Sequence, residues 1–154
     1  MIMENFLYVL CALALLVLSV ADFKTYEIPA GCNLLIGLLG AVRISLDLSH
    51  WQQYVAGFFA VSGLLFAVYL LTGGKAIGGG DIKLTAAAGL FLGWKNILLA
   101  LAIGAVAATG ICAVLLACNK RERVFAFGPY LSAGIFCAML WGEEIRQFFM
   151  QVQV

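Results

Sequence analysis

Six stretches of apolar residues, separated by short polar segments, run along the chain. They predict α-helices at about residues 4–21, 29–46, 54–72, 82–93, 97–118 and 126–149. A helix needs about 20 apolar residues to cross a bilayer, so the fourth helix is short for a span. The pattern therefore predicts an all-α, polytopic membrane protein with about six transmembrane helices.

The composition agrees with this prediction and excludes a water-soluble domain. Hydrophobic residues make up 64% of the chain and charged residues 11%, and the mean hydropathy is +1.06. These values leave too little polar surface to cover a soluble fold. About six spans and their connections use up the 154 residues, so we expect a single transmembrane domain over 1–154, surrounded by the lipid bilayer. The first apolar stretch has no basic segment before it, so we interpret it as a retained helix and not as a signal peptide.

The basic residues predict which way the helices run. If successive helices alternate in direction, six cations fall in loops on the same side of the membrane: Lys24, Lys75, Lys83, Lys120, Arg121 and Arg123. Lys95 and Arg146 fall on the opposite side. Loops rich in Lys and Arg stay in the cytoplasm. We therefore expect a multi-pass protein of the cell (inner, or cytoplasmic) membrane whose six-cation side faces the cytoplasm.

Two aspartates, Asp22 and Asp81, each lie just past a long apolar run. A carboxylate beside lipid is costly, so a functional role is the default interpretation. The loop charges place both at the cytoplasmic ends of their helices, whereas Asp47, the only other aspartate, falls on the opposite side. Two carboxylates at one depth predict a catalytic dyad. One can hold a proton while the other stays ionised. Such a pair supplies the general acid and the general base that peptide hydrolysis by water requires.

A glycine-rich segment, GGKAIGGG, leads directly into Asp81. Because glycine permits close backbone approach, Gly78, Gly79 and Gly80 are predicted to let an extended substrate lie near Asp81. The alternative is a flexible turn between two spans.

A lysine follows each of these aspartates two residues later, namely Lys24 and Lys83. We interpret both lysines mainly as anchors at the membrane surface. They are also placed to help keep a neighbouring carboxylate ionised.

Other kinds of chemistry find little support in the sequence. The five cysteines form no CxxC pair, and most lie in apolar runs, so they are interpreted as packing residues. We expect no metal and no cofactor. A net charge of +1 indicates no nucleic-acid partner.

Three segments carry a resemblance to a known family: ADFKTYEIP around Asp22, GGGDIKL around Asp81, and FAFGPYLSAG at residues 125–134. In their order and spacing they resemble the signature segments of the type IV prepilin peptidases, which are GxGD membrane aspartic peptidases. The resemblance implies that Asp22 and Asp81 are the catalytic aspartates. It also implies that Gly78 and Gly80 are the glycines of the GxGD motif, and that Phe127, Gly128 and Pro129 form the family's FGP segment.

The resemblance further implies a substrate, a prepilin or pseudopilin whose short basic leader precedes an apolar helix. The expected activity is endopeptidase cleavage of that leader at the cytoplasmic membrane boundary, during pilus biogenesis and protein secretion. Glu27 is either an ordinary loop charge or a group that attracts the basic leader. The chain resembles the short form of the family, without the amino-terminal cysteine-tetrad extension, so methyl transfer is not expected.

Two other classes of protein remain open at this point. In a small ion- or proton-coupled transporter or channel component, Asp22 and Asp81 would act as a relay. In a structural membrane subunit, they would only pair with Lys24 and Lys83. The sequence does not give the oligomeric state. It also does not say whether Arg43, inside the second apolar run, meets a carboxylate, a lipid phosphate or the membrane surface.

Overall fold

The computed structural model describes residues 2–75, 77–117 and 126–152. Within these residues the chain forms six α-helices and no strand. The helices are α1 (Ile2–Thr25), α2 (Ala30–Leu46), α3 (Trp51–Thr72), α4 (Gly79–Leu92), α5 (Trp94–Ala117) and α6 (Gly128–Val152), and one 3-10 turn (Leu48–His50) precedes α3. The all-α prediction is therefore confirmed.

The helix ends differ from the predicted ones by a few residues, and the differences have local causes. Helix α1 continues past the apolar run because its backbone hydrogen bonds continue through the polar residues that follow. The last of them runs from the Tyr26 N–H to the Asp22 carbonyl, at 2.8 Å. The helix ends where Tyr26 takes a left-handed φ of 55°. Pro29, which has no N–H to donate, then precedes α2. Asp22 therefore lies inside the last turns of α1 and not beyond its end.

Three helical stretches are long and apolar enough to cross a membrane, Met3–Thr25, Leu48–Thr72 and Trp94–Val114, and Ala30–Leu46 is a shorter apolar helix. In lipid a helix satisfies its own backbone hydrogen bonds, which is why such apolar segments take this form. Large apolar side chains also remain exposed on the outside of the bundle, with Leu71 88% and Val106 75% exposed. An apolar exterior of this kind is typical of a membrane protein.

Helix α4 lies at the centre of the bundle. It packs against α2, α3 and α5 and more lightly against α6, while the outer helices adjoin one another in the order α2, α1, α6, α5, α3. Eight of its 14 residues are buried: Asp81, Leu84, Thr85, Ala87, Ala88, Gly89, Phe91 and Leu92. As predicted, this fourth helix is the shortest of the six in the described part of the chain.

Helices α3 and α4 approach each other closely at Gly57 and Gly89. A Cβ on either glycine would overlap the backbone carbonyl of the other. Small residues that let helix backbones come together are a common basis of helix association in membranes. The position of α4, and of the aspartate near its start, therefore depends on this pair.

We expect Gly89→Ala to lower the free energy of unfolding by about 1–3 kcal/mol, because a methyl group at this contact forces the two backbones apart. The measurement is the apparent melting temperature in detergent. The matched control is Gly63→Ala in α3, where a Cβ would meet nothing within 4 Å. That change should be neutral or stabilising by up to about 1 kcal/mol, as usual for glycine to alanine in an open helix position. An equal loss in both variants would contradict the close-packing interpretation.

Arg43 finds its partners among aromatic rings of three other helices. Its guanidinium carbon lies 4.7 Å from the ring centroid of Tyr8 in α1, 5.1 Å from that of Phe91 in α4 and 5.9 Å from that of Tyr54 in α3. The faces of aromatic rings attract cations at these distances. Arg43 thus connects α2 to α1, α3 and α4 at the end of the bundle remote from Asp22 and Asp81.

Candidate active site

Asp22 lies near the end of α1 and is only 5% exposed. Its carboxylate rests against the first residue of α6, so closely that a Cβ on Gly128 would overlap it. The Gly128 backbone N–H interacts with the same carboxylate. The N–H groups at a helix start have no partner within the helix and favour negative charge. The start of α6 is therefore a stabilising neighbour for this aspartate.

Asp81 is the third residue of α4 and is 8% exposed. Gly78 is the N-cap of this helix, and its backbone N–H interacts with the Asp81 carboxylate. A side chain at this position that reaches back to the N-cap N–H is the arrangement of a capping box. Each aspartate is thus held by the backbone N–H of a glycine at a helix start.

The fold brings the two aspartates together although 58 residues separate them in the chain (81 − 22 − 1 = 58). Both line one cavity of about 1040 Å³, and their carboxylates are close enough to interact electrostatically. Asp22 Oδ2 and Asp81 Oδ1 are buried without a hydrogen-bond partner in the part of the chain that the structure describes. These oxygens are available to a water molecule and a substrate in the cavity.

The cavity is lined by both polar and apolar residues. The polar lining includes Glu27, Lys75 and Lys83, together with the glycines Gly78, Gly79 and Gly80. The apolar lining comes from several helices and from the segments leading into them: Ile28, Leu65, Ile77, Leu101, Ala105 and Phe127. Such a cavity suits a ligand that is polar in one part and apolar in another.

Two segments that the sequence singled out pack against each other. A Cβ on Gly80 would lie 3.0 Å from the Ile28 Cβ, closer than side chains normally approach. The glycine thus allows the start of α4 to lie against the segment before α2. Close packing, and not only mobility, accounts for a glycine at this position.

The remaining predicted site residues lie at varying distances from the cavity. Phe127 lines it, Gly128 contacts Asp22 as described, and Pro129 belongs to the first turn of α6. Lys24 is exposed and is not among the lining residues. The basic segment with Lys120, Arg121 and Arg123 lies outside the described residues, as does Phe125.

Asp47 lies at the other end of α2, away from the cavity. Its carboxylate accepts a hydrogen bond from the Ser49 hydroxyl at 2.6 Å and one from Tyr54 at 3.2 Å, and it pairs with His50 at 3.0 Å. These hydrogen bonds, that from Ser49 first and that from His50 next, lower the pKa of Asp47 to about 2. The carboxylate of this aspartate is thus bound by neighbouring side chains and takes no part in the cavity.

The structure adds a residue that the sequence did not single out as a site residue. Asn33, in the first turn of α2, is only 8% exposed and lines the same cavity. Its one signal in the sequence is a lone amide at the start of an apolar helix. No group of three or more His, Cys, Asp or Glu side chains among the described residues is placed to hold a metal ion.

With this geometry in view, comparison with known proteins identifies the family. Residues 9–114 match the type IV leader peptidase family. This match covers more than half of the chain and includes both Asp22 and Asp81. The chain belongs to the type IV leader peptidase family.

Several individual relatives are named prepilin leader peptidase/N-methyltransferase. The chain is 36% identical to that of Aeromonas hydrophila over 98 residues, which cover 62% of this chain and 34% of the relative. It is 30% identical to that of Stutzerimonas stutzeri over 145 residues (89% and 50%) and 32% identical to that of Bacillus subtilis over 144 residues (90% and 56%). The chain therefore spans between about a third and somewhat over half of these relatives' length. No solved structure matches it.

Proposed function

We propose that this protein is a membrane aspartic endopeptidase that removes the basic leader from prepilin-like or pseudopilin-like precursors. The observation that carries the proposal is the pair of buried aspartates, Asp22 and Asp81, which meet in one cavity from distant parts of the chain. Membership of the leader peptidase family and the names of the relatives support the choice of substrate.

In the proposed mechanism, the two aspartates share one proton. The ionised carboxylate takes a proton from water as the water attacks the scissile carbonyl, and the protonated carboxyl donates its proton to the carbonyl oxygen. The carboxyl that took the water proton then gives it to the leaving amine as the C–N bond breaks, and a hydroxyl of the tetrahedral intermediate returns its proton to the other carboxylate as the new carboxylic acid product forms. The dyad is then singly protonated again. Gly128 and Gly78 hold the carboxylates through their N–H groups. Because the carboxylates are coupled, the proton belongs to the pair and not to either residue alone.

The mixed polar and apolar lining of the cavity fits the two parts of such a substrate. A leader is charged and soluble, whereas the segment after the cleavage site is an apolar helix. The charged residues Glu27 and Lys83 would adjoin the leader, and the apolar residues Leu65 and Leu101 would adjoin the start of the helix. The scissile bond would then lie between them, at the aspartates.

For the orientation, we propose that the aspartate end of the bundle faces the cytoplasm, as the loop charges predict. Labelling with a membrane-impermeant thiol reagent checks it, in a variant whose own cysteines are replaced. Lys75→Cys, beside the cavity, should react only when the cytoplasmic side is accessible. His50→Cys, at the far end, should react from outside. The reverse pattern would put the cavity on the wrong side for a cytoplasmic leader.

The direct test of the function is coexpression with a prepilin encoded near the gene for this chain. The expected result is a shift of the precursor to smaller size on a gel, with a new amino terminus at the junction of leader and apolar segment. An Asp81→Asn variant present in the membrane at the same level is the control. An unprocessed precursor, or processing that continues in the control, would refute the proposed function.

A further inference from the structure

Asn33, in the first turn of α2, carries a buried amide. Its side chain is more than nine-tenths buried, and neither Oδ1 nor Nδ2 has a hydrogen-bond partner in the described ranges 2–75, 77–117 and 126–152. A buried amide with neither its donor nor its acceptor satisfied is costly. Buried polar groups nearly always have partners, so an amide left without one requires an explanation.

The position of Asn33 supplies that explanation. It lines the cavity that also contains Asp22 and Asp81, so the helices α1, α2 and α4 all contribute polar side chains to the same space. The residues that line the same cavity include the apolar Ile28 and Leu65. A leucine at position 33 would avoid the cost of the amide, so a polar side chain here points to a partner that comes from the cavity.

The chemistry of a carboxamide indicates what that partner is. An asparagine side chain presents one acceptor and one donor group side by side. A residue in an extended peptide presents its own N–H and C=O on the same side, which is how two antiparallel strands exchange a pair of hydrogen bonds. An asparagine amide can therefore bind one residue of an extended chain through two hydrogen bonds.

We propose that Asn33 binds the main chain of the substrate beside the scissile bond, with Nδ2 donating to a substrate carbonyl and Oδ1 accepting from a substrate N–H. This inference rests on the proposed peptidase function. Asn33 is a positioning residue: it holds the peptide extended, so that the scissile carbonyl faces the aspartates. Because it contacts only the main chain, it contributes to binding without selecting particular substrate side chains.

The test uses purified protein in detergent and a synthetic peptide that spans the junction between leader and apolar segment. Asn33→Leu should lower kcat/KM by about tenfold or more, the loss expected for two hydrogen bonds, mainly through a higher KM. Its melting temperature should be unchanged or higher, because an unpartnered buried amide is removed. A purely structural asparagine would give the opposite, a lower melting temperature with the catalytic constants retained.

Asn96 offers a matched control at the opposite end of the bundle. It too has a buried amide oxygen without a partner among the described residues, and it does not line the cavity. Asn96→Leu should leave kcat/KM unchanged. If both asparagine variants lose activity to the same degree, the loss is not specific to the cavity and the inference is wrong.

A second set of substrates identifies the hydrogen bond itself. In each peptide one backbone N–H near the scissile bond is replaced by an ester oxygen, which removes one donor. The unaltered protein should cleave one of these ester peptides several times less efficiently than the parent peptide. Asn33→Leu should cleave that ester peptide and the parent peptide with equal efficiency. If every ester costs the same factor in both proteins, Asn33 does not bind the main chain.

These outcomes separate the inference from the proposed function. If the unaltered protein cleaves the peptide, Asp81→Asn does not, and Asn33→Leu cleaves normally, only the role of Asn33 is refuted. If the unaltered protein fails to cleave any peptide or coexpressed precursor, the peptidase function itself is refuted.

Discussion

Leader cleavage should be lost when either Asp22 or Asp81 is changed to asparagine, with the rate reduced by at least about a hundredfold. The amide keeps the shape of the carboxylate but can neither accept the proton of the attacking water nor donate one to the carbonyl oxygen. Both variants should remain in the membrane, because the backbone N–H of Gly128 or Gly78 still has an amide oxygen to meet. The measurement is precursor processing at equal protein levels.

Asp47→Asn is the matched control for this pair. It makes the same chemical change at the remote end of α2, where the carboxylate bonds to Ser49, Tyr54 and His50 and does not reach the cavity. Its processing rate should equal that of the unaltered protein. Normal activity in either cavity variant, or an equal loss in Asp47→Asn, would remove the dyad assignment.

The second large effect is expected at Gly128. In Gly128→Ala the new methyl group would overlap the Asp22 carboxylate, which must rotate away because the backbone of α6 is held by its packing. A misplacement of about 1 Å in a catalytic group can cost about a hundredfold in rate. We therefore expect a loss of about that size in kcat. The melting temperature should change little, because only the end of one side chain moves.

Gly31→Ala tests whether any added methyl group near the cavity has this effect. Gly31 lies in the first turn of α2, and a Cβ there would meet nothing within 4 Å. This variant should process the precursor at the normal rate. If Gly128→Ala is fully active, or if Gly31→Ala loses as much, the contact between Gly128 and Asp22 does not position the aspartate.

The fold was largely predictable because the membrane imposes a simple rule on the sequence. Each apolar run had to become a helix, and the short fourth run became the short α4. The exact ends were less predictable, since α1 extends through Asp22 to Thr25 and α4 starts before Asp81. A hydropathy pattern does not show where helical hydrogen bonding continues through polar residues at the start or end of a helix.

The site was predictable only in part. Acidic residues beside apolar runs attract notice because their burial is costly, which is how Asp22 and Asp81 stood out. Asn33 carries no charge, and its importance depends on facing a cavity that several helices form together. Arg43 was noticed, but its aromatic partners could not be named, because rings on α1, α3 and α4 meet it only through tertiary packing.

The shortness of α4 also bears on how water reaches the aspartates. Its 14 residues rise about 21 Å, less than the roughly 30 Å of hydrocarbon in a bilayer. Because α4 is surrounded by longer helices, the missing length becomes a recess inside the bundle, and the cavity with Asp22 and Asp81 occupies it. For the proposed hydrolysis, the reactant water then enters along protein walls from the adjoining aqueous phase. The central helix is short at the end where Asp81 lies, which is the end where the proposed hydrolysis needs water.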